Sequence, residues 1–339
     1  MKKVGVAING FGRVGRITCR AMQGNGNMEL LAINDLASPA NLAHLLKYDS
    51  VHGLFPAAIH SDDHTLFIDG KPIHVYSEPL PGGIDWGLLD IDVVIEATGQ
   101  FTSRADACKH LDAGAGKVII SAPARNETEE IKYIVLGVND HIITSDDRIL
   151  SNASCTTNCV APLIQLIDEL WQIKEGFITT VHSYTRDQNL IDGPHKDWRR
   201  GRAAAFSIIP TTTGAAKAAT KIFPHLKGVL GGAGIRVPVQ DGSLTDFTCT
   251  VQRSTSITEV NEAFKQAAES RYKGILQYTE DPIVSVDVIG NRHSAVFDAG
   301  LTAVLGRKSN MVKVVAWYDN EMGYAARLVE LIEKICPAK

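Results

Sequence analysis

The first thirty-five residues limit the fold of this chain more than any other stretch. An apolar run, Val4 to Ile8, passes directly into Gly10-x-Gly12-x-x-Gly15. A short continuous apolar run bounded by glycine reads as a parallel strand buried on both faces. An amphipathic stretch follows, with Val14, Ile17, Ala21 and Met22 on one side, and a second apolar run, Leu30 to Ile33, ends in Asn34-Asp35. Gly10 permits the tight strand-to-helix turn, Gly12 lets backbone approach a pyrophosphate, and Gly15 allows close helix–strand packing, while the helix N-terminus faces the negative charge. Asp35, twenty residues after Gly15, is placed to accept hydrogen bonds from ribose hydroxyls and to repel a 2′-phosphate, which predicts NAD rather than NADP. A bare GxGxxG is a weak signal. With strand, helix, second strand and terminal acid around it, it specifies a dinucleotide-binding α/β unit with a doubly wound parallel sheet.

Further strands continue the pattern. Asp92 to Glu96 ends in Ala97-Thr98-Gly99, Lys117 to Ile120 ends in Ser121-Ala122-Pro123, and Ile131 to Val138 and Ile149-Leu150 follow. Ligands of open parallel sheets sit beyond the carboxyl ends of strands, so Thr98 and Ser121 are candidate cofactor neighbours. Ordinary helix or turn capping explains small hydroxyl residues equally well. Leu54 to Tyr76 reads as antiparallel strands with a turn at Asp69-Gly70, an excursion from the main sheet.

The second half is organised around Ser151 to Cys159, SNASCTTNC. Val160, Leu163, Ile164, Ile167, Leu170 and Trp171 recur at helical spacing, which places Cys155 about where a helix begins. There, free N–H groups and the helix dipole favour a thiolate. Cys159 falls one turn deeper, and Pro162 costs the helix a hydrogen bond. The six cysteines are scattered, with no zinc or disulfide spacing, so no metal is expected. A buried helix with two small core cysteines is the plain alternative. His182, on the strand-like stretch Gly176 to Thr185, is the candidate base for Cys155. Alternation puts Ile178, Thr180 and His182 on one face. Arg199, Arg200 and Arg202 form a basic cluster, read either as a solvated face or as recognition of phosphate. Thr211 to Lys217 reads as a helix start with Thr213 and Gly214 as a second anion site, the helix stopping at Pro224. Arg236, alone in the apolar stretch Gly234 to Pro238, needs an anionic partner. Strands at Ser243–Val251, Val284–Val288, Ala295–Phe297 and Val312–Trp317 mix with a helix at Glu259–Glu269, which predicts an α+β domain with a mostly antiparallel sheet. A final amphipathic helix, Ala325 to Ile335, needs a groove for Leu328, Leu331, Ile332 and Ile335.

Length and charge remove other classes. A chain of 339 residues predicts about two domains. The net charge of −4 and pI near 6.3 give no argument for nucleic acid or an anionic membrane. The apolar stretch of MKKVGVAING is too short for a signal peptide, and no run reaches the roughly 18 apolar residues of a membrane span. A reducing, cytoplasmic setting fits the cysteine pattern.

With these residues in view, the chain resembles the phosphorylating glyceraldehyde-3-phosphate dehydrogenases over essentially its whole length. The motifs that carry the likeness are INGFGRVGR, AINDL, LLKYDSVHG, SNASCTTNC, TTVHSYT, PHKDWRRGRAA, IIPTTTGAAKA, RVPV and WYDNEMGY, in order and at family spacing. The resemblance implies a Rossmann NAD-binding domain over 1–153, a catalytic domain over 154–319, and a C-terminal segment, 320–339, packing back on the first. It implies Cys155 as nucleophile and His182 as base. Ser154, Thr156, Thr213, Gly214 and Arg236 match positions that bind inorganic phosphate. Thr185, Asp187, Arg200 and Arg236 match those around the C3 phosphate of glyceraldehyde 3-phosphate and the cofactor. Arg13, Val14, Asp35, Thr98, Ser121 and Asn320 match NAD contacts, beside Gly10, Gly12 and Gly15. A cytoplasmic homotetramer is likewise implied.

The chain departs from the family at several places. Pro79, beside Glu78, stands where many relatives carry an arginine near the adenine. Arg186 replaces a common Asn or Ala, Met322 a common Trp, and Ala325 a small polar residue. None of these is Cys155 or His182. The nearest rival, erythrose-4-phosphate dehydrogenase, lacks the Tyr184-Thr185 pattern after the histidine. A rival of another class is a non-catalytic NAD-binding protein with RNA or protein partners.

Overall fold

Val4–Asn9 is buried along its whole length, and one sheet is built outward from it in both directions. The computed structural model describes residues 2–125 and 131–337. The chain divides into two units. The first comprises Met1–Ile134, His141–Ala153 and Ala325–Lys339, the second Val135–Asp140 and Ser154–Tyr324.

In the first unit, parallel strands run in the order Lys132–Tyr133, Ile149–Ser151, Lys117–Ile120, Val93–Glu96, Val4–Asn9, Met28–Asn34, Lys71–Tyr76. Antiparallel Thr65–Ile68 and Ile59–Ser61 complete the edge. The chain leaves Val4–Asn9 to one side and returns to its other side at Val93–Glu96, so the strand order reverses between these two. Three helices cross over: α1 (Arg13–Met22), α2 (Pro39–Lys47) and α3 (Arg104–Asp112). Ser38 and Ser103 begin α2 and α3 by accepting the N–H groups of Asn41 and Asp106, and Pro39 suits the first helical position.

Two expectations need correction here. The Asp69-Gly70 turn forms, with both residues left-handed at φ 51° and 77°, as a tight hairpin requires. Yet the hairpin is no excursion from the main sheet. Lys71–Tyr76 pairs in parallel with Met28–Asn34, Ala32 opposite His74, and so covers an edge that would otherwise stand open. Ile131 to Val138 is not one strand either. Only Lys132–Tyr133 pairs, and beyond it the Asn139 side chain takes the Val135 N–H at 2.8 Å and turns the chain.

The second unit holds a mixed sheet in the order Ile209–Thr211, Leu230–Val237, Ile173–Ser183, Ser243–Thr255, Ser309–Tyr318, Ala295–Asp298, Leu276–Thr279, with Ala303–Val304 pairing beside Ser309–Tyr318. Most pairings are antiparallel, and Ile173–Ser183 with Leu230–Val237 is parallel. The fold is therefore the one the sequence predicts: a parallel-rich sheet in one unit, a mostly antiparallel one in the other. Helices α4 (Cys155–Trp171), α5 (Ala215–Ile222) and α6 (Ile257–Glu269) belong to this unit. In α4, Pro162 is accommodated inside the helix and buried with Val160, Leu163 and Ile164 against the strands. A capping box of Ser256 and Glu259 opens α6.

Val284–Val288 is a third correction. Ser285–Val288 is a 3-10 turn, in which Asp287 accepts the Val284 N–H at 2.7 Å. Its β-branched residues suggest a strand, but Val284 and Val286 are exposed and only Val288 reaches the core. Helix α7 (Met322–Ile335) starts in the second unit, and its residues from Ala325 onward belong to the first. Leu328, Leu331 and Ile332 are fully buried, and Glu333 accepts a hydrogen bond from Asn25 at 2.8 Å. Residues 338–339 of the expected C-terminal segment lie outside the described residues.

Candidate active site and nucleotide cradle

The reversal point in the first unit is shaped for a dinucleotide. Gly10 has φ 93°, and a Cβ there would lie 2.6 Å from Thr98 N. At Gly15 it would collide with the Gly10 carbonyl. Gly12 caps α1 without a side-chain bond and faces open space. The first-turn N–H groups thus stand beside an open cradle, the geometry an anionic phosphate needs. Val14 is half-buried on that first turn. The Asp35 carboxylate is fixed by two backbone donors, Phe11 N at 2.8 Å and Ala37 N at 3.1 Å, which leaves lone pairs for ribose hydroxyls. These residues fit NAD. Ser121 donates its hydroxyl to the Glu96 carbonyl at 2.9 Å. Arg13 is ion-paired with Asp49. Burial works against the Asp49 charge, but the N–H groups of His52 and Val51 and the Arg13 guanidinium hold its carboxyl down at about 2.

Sequence reasoning missed what lies under the cradle. Glu96, fully buried, accepts Asn9 Nδ2 at 2.5 Å, Thr98 N at 2.9 Å and His110 Nε2 at 3.2 Å, and hydrogen-bonds the Thr98 hydroxyl. Trp86 Nε1 donates to His110 Nδ1 at 3.2 Å, so His110 presents Nε2–H to Glu96. The signal was available: one carboxylate closing an apolar strand needs buried donors.

In the second unit, Ser154 caps α4 through the Thr157 N–H at 3.1 Å, which makes Cys155 the first helical residue. His182 is the penultimate residue of Ile173–Ser183, and Arg236 is its neighbour across the parallel pair. Cys155 Sγ lies 3.4 Å from His182 Nε2. On the far side of the ring, Nδ1 is 2.8 Å from the Ser183 carbonyl and 2.5 Å from Arg236 Nη1, which donates to the same carbonyl at 2.9 Å. Thr156 meets the Tyr318 hydroxyl at 2.9 Å, and the Tyr318 ring stands edge-on to His182 with centroids 6.0 Å apart. Sequence reasoning also missed Tyr318, Ser183 and Ser243.

The electrostatics set burial against the thiolate that a helix start favours. Burial pushes the Cys155 thiol up, with the Arg236 charge and hydrogen bonds from Thr156 pulling it back. Burial and then Arg236 depress His182 to about 3, against the Ser183 carbonyl. Both shifts favour the uncharged forms, thiol and imidazole. Ring Nδ1 stands between the Ser183 carbonyl, an acceptor, and Arg236 Nη1, a donor, while Nε2 faces the sulfur.

The structure brings Ser154, Cys155, Thr156, His182 and Arg236 into one cluster. Thr213 and Gly214 stand at the start of α5, which packs on α4, and Thr213 Oγ1 accepts the Ala215 N–H at 3.2 Å. Arg200 is held by neighbouring side chains: Nε donates to Thr211, at the end of the strand Ile209–Thr211, at 2.9 Å, and Asp187 forms an ion pair with it. Both charges act on Arg236. The Thr185 N–H donates to Gln188 at 3.1 Å. Asn320 is tied to Ser183 and Ser243. Pro79 and Arg186 are exposed and Met322 half-buried. Among the described residues, no helix is long and apolar enough to cross a membrane.

Comparison with known proteins gives one answer. Residues 4–104 match the family model described as glyceraldehyde 3-phosphate dehydrogenase, NAD binding domain, and residues 154–320 match the C-terminal domain of the same family. The chain is 50% identical over 333 residues to glyceraldehyde-3-phosphate dehydrogenase of Priestia megaterium, covering 98% of each chain. It is 51% identical over 329 residues to glyceraldehyde-3-phosphate dehydrogenase 1 of Bacillus subtilis, covering 97% of each. The similarity to the Mycobacterium tuberculosis protein is also 51%, over 336 residues and 97% of each.

Proposed function

The chain belongs to the glyceraldehyde-3-phosphate dehydrogenase family, NAD-dependent oxidoreductases acting on an aldehyde, and on that premise we propose that it is the phosphorylating enzyme. It converts glyceraldehyde 3-phosphate, NAD and inorganic phosphate to 1,3-bisphosphoglycerate in glycolysis or gluconeogenesis. The observation that carries this reading is the Cys155–His182 contact of 3.4 Å at a helix start, with Arg236 alongside. The first unit serves as the NAD domain, through Gly10, Gly12, Arg13, Val14, Gly15, Asp35, Thr98 and Ser121, and Asn320 is a further expected cofactor contact.

Attack begins with transfer of the Sγ proton to His182 Nε2, and the thiolate bonds to the aldehyde carbon. The oxyanion of the thiohemiacetal is met by the His182 N–H and by backbone N–H at the start of α4. Bound NAD supplies a hydride acceptor. His182 first gives the Sγ proton to the oxyanion, forming the hydroxyl, and takes it back as the hydride departs and the thiohemiacetal becomes a Cys155 thioester. Ser154, Thr156, Thr213, Gly214 and Arg236 place inorganic phosphate against that thioester, while Thr185, Arg200 and Arg236 hold the C3 phosphate, a proximity effect. Phosphate oxygen bonds to the acyl carbon, the C–S bond breaks, and the sulfur regains its proton.

The test follows NADH absorbance with purified protein, glyceraldehyde 3-phosphate and NAD, with and without phosphate, beside Cys155→Ser. Phosphate-dependent turnover that disappears in the variant is expected. Turnover indifferent to phosphate would indicate hydrolysis of the thioester, and faster turnover of erythrose 4-phosphate would reassign the substrate. A cytoplasmic homotetramer belongs to the same reading. Its support is the exposure of Leu190, Trp198, Phe206 and Ile208, at 75%, 89%, 90% and 71%, four large apolar side chains in one stretch of chain. Light scattering that returns a monomer mass would remove it.

A further inference from the structure

Arg200 and Arg236 are the two cations expected at the C3 phosphate, and both belong to the second unit. Two like charges on long stems swing apart unless something fixes them. Burial weighs most against the Arg236 charge, the Arg200 charge adds to that, and Asp187 offsets part of it. Arg236 is tied down by its contacts with His182 and the Ser183 carbonyl. Arg200 is tied down by a threonine. Thr211 ends the strand Ile209–Thr211, and its hydroxyl has two neighbours, Arg200 Nε at 2.9 Å and Asp197 Oδ2 at 3.0 Å. A hydroxyl carries one proton, and a guanidinium only donates. The roles are therefore forced: Thr211 Oγ1 accepts from Arg200 and donates to the Asp197 carboxylate. Asp197 is itself fixed, because Oδ1 accepts the Arg199 N–H at 2.9 Å and the Arg200 N–H at 3.4 Å.

This frame reaches from one arginine to the other. Ile209–Thr211 pairs antiparallel with Leu230–Val237, Ile209 opposite Arg236 and Thr211 opposite Gly234. The strand that anchors Arg200 Nε is thus hydrogen-bonded to the strand that carries Arg236. Besides Nε, one Nη hydrogen of Arg200 goes to Asp187 and one, at 3.4 Å, to the Thr212 carbonyl. A guanidinium has further Nη hydrogens to offer an anion. We propose that Thr211, backed by Asp197, is a positioning residue for the substrate's C3 phosphate, holding Arg200 at a set spacing from Arg236 so that its remaining Nη hydrogens are preformed donors. The proposal rests on the reading of Arg200 as a C3 phosphate contact. Cations already spaced for one phosphate lose little freedom when it binds.

The test is steady-state kinetics of the full chain with glyceraldehyde 3-phosphate and with glyceraldehyde, which carries no phosphate, at saturating NAD and inorganic phosphate. Thr211→Val keeps the shape of the side chain but neither accepts nor donates. It should raise KM for glyceraldehyde 3-phosphate about tenfold, the lower end of what a hydrogen bond to a charged group is worth, and leave kcat/KM for glyceraldehyde at the wild-type value. Thr211→Ser, which restores the hydroxyl, should restore the wild-type KM, and Thr211→Ala decides the matter if the valine variant does not fold. Equal losses with both aldehydes would overturn the proposal, because they would mark Thr211 as merely structural. So would a wild-type KM in the valine and alanine variants when Arg200→Ala raises it. If Arg200→Ala itself leaves KM for glyceraldehyde 3-phosphate unchanged, the reading of Arg200 falls first, and the proposal with it.

Discussion

A buried neutral histidine makes stability depend on acidity, and His182 lets the size be worked out. In the unfolded chain an imidazole titrates near 6.5, whereas burial and the Arg236 charge bring the folded value to about 3. The folded pKa is the lower one, so between the two values the unfolded chain holds a proton that the folded chain refuses. Stability is then whole above pH 6.5 and drains as pH falls toward 3. For these values the loss from neutral pH to about pH 5 is about 2 kcal/mol. His182→Gln keeps a side chain of similar reach and removes the titration. Asp241 slopes the other way, because burial and the charges of Asp319 and Glu321 raise it to about 9. It is present in both proteins and cancels in the comparison. Thermal unfolding of wild type and His182→Gln at about pH 7.5 and 5 is the assay. The variant should gain on wild type by about 4–8 °C between those conditions, for a unit of this size. Two curves that fall in parallel would refute the reasoning, since His182 would then carry no unusual proton affinity.

The remaining predictions concern the cradle and the anion sites. Glu96→Gln should weaken NAD binding about tenfold and lower the melting temperature, because an amide cannot accept from Thr98, Asn9 and His110 together; unchanged affinity by calorimetry would contradict it. Asp35→Ala should raise the NADP-to-NAD ratio of kcat/KM at least tenfold by removing a carboxylate from the 2′ position, and an unchanged ratio would mean that Asp35 is misassigned. Arg236→Ala should raise KM for phosphate and lower kcat together, because Arg236 touches both the His182 ring and an expected anion site; a change confined to KM would separate it from the base. Alkylation of Cys155 by iodoacetamide should follow the ionisation of a raised thiol and increase with pH through the neutral range. A rate already flat below neutrality would show a stored thiolate.

Local features of the chain were legible because their causes are local. Glycine spacing after an apolar run requires a turn that only glycine can make, and Gly10 has the left-handed backbone that turn needs. A hydroxyl three residues before a free N–H predicts a cap, and Ser154 provides one. Strand alternation put Ile178, Thr180 and His182 on one face, and all three are buried. Features that depend on distant partners were not legible. The strand Lys71–Tyr76 could be assigned to the main sheet only by knowing which edge it would find. Val284–Val288 carries strand-like residues, but Asp287 takes the Val284 N–H locally and closes a turn instead. Glu96 meets Asn9 across 87 positions, and Ser183 meets Asn320 across 137. No periodicity reports such pairs.

The same division applies to the thiol. A helix start lowers a cysteine pKa through groups visible in sequence, whereas desolvation depends on everything packed around it. At Cys155 burial is the largest influence and raises the thiol against the Arg236 charge and the Thr156 hydrogen bonds, and His182 is depressed beside it. This arrangement has a chemical consequence for the proposed reaction. A stored thiolate and imidazolium would attract one another and hold the nucleophile back, whereas the neutral pair separates charge only as the aldehyde carbon is attacked. The charge then formed on His182 lies beside Arg236, which opposes it, unless an anion arrives to balance the guanidinium. A phosphate-bearing substrate brings that anion with it. The basicity of His182 is thereby tied to occupancy of the site, and an aldehyde without a phosphate should react slowly even at saturation. Full kcat with an unphosphorylated aldehyde, with only KM raised, would show that Arg236 merely binds and does not gate the base.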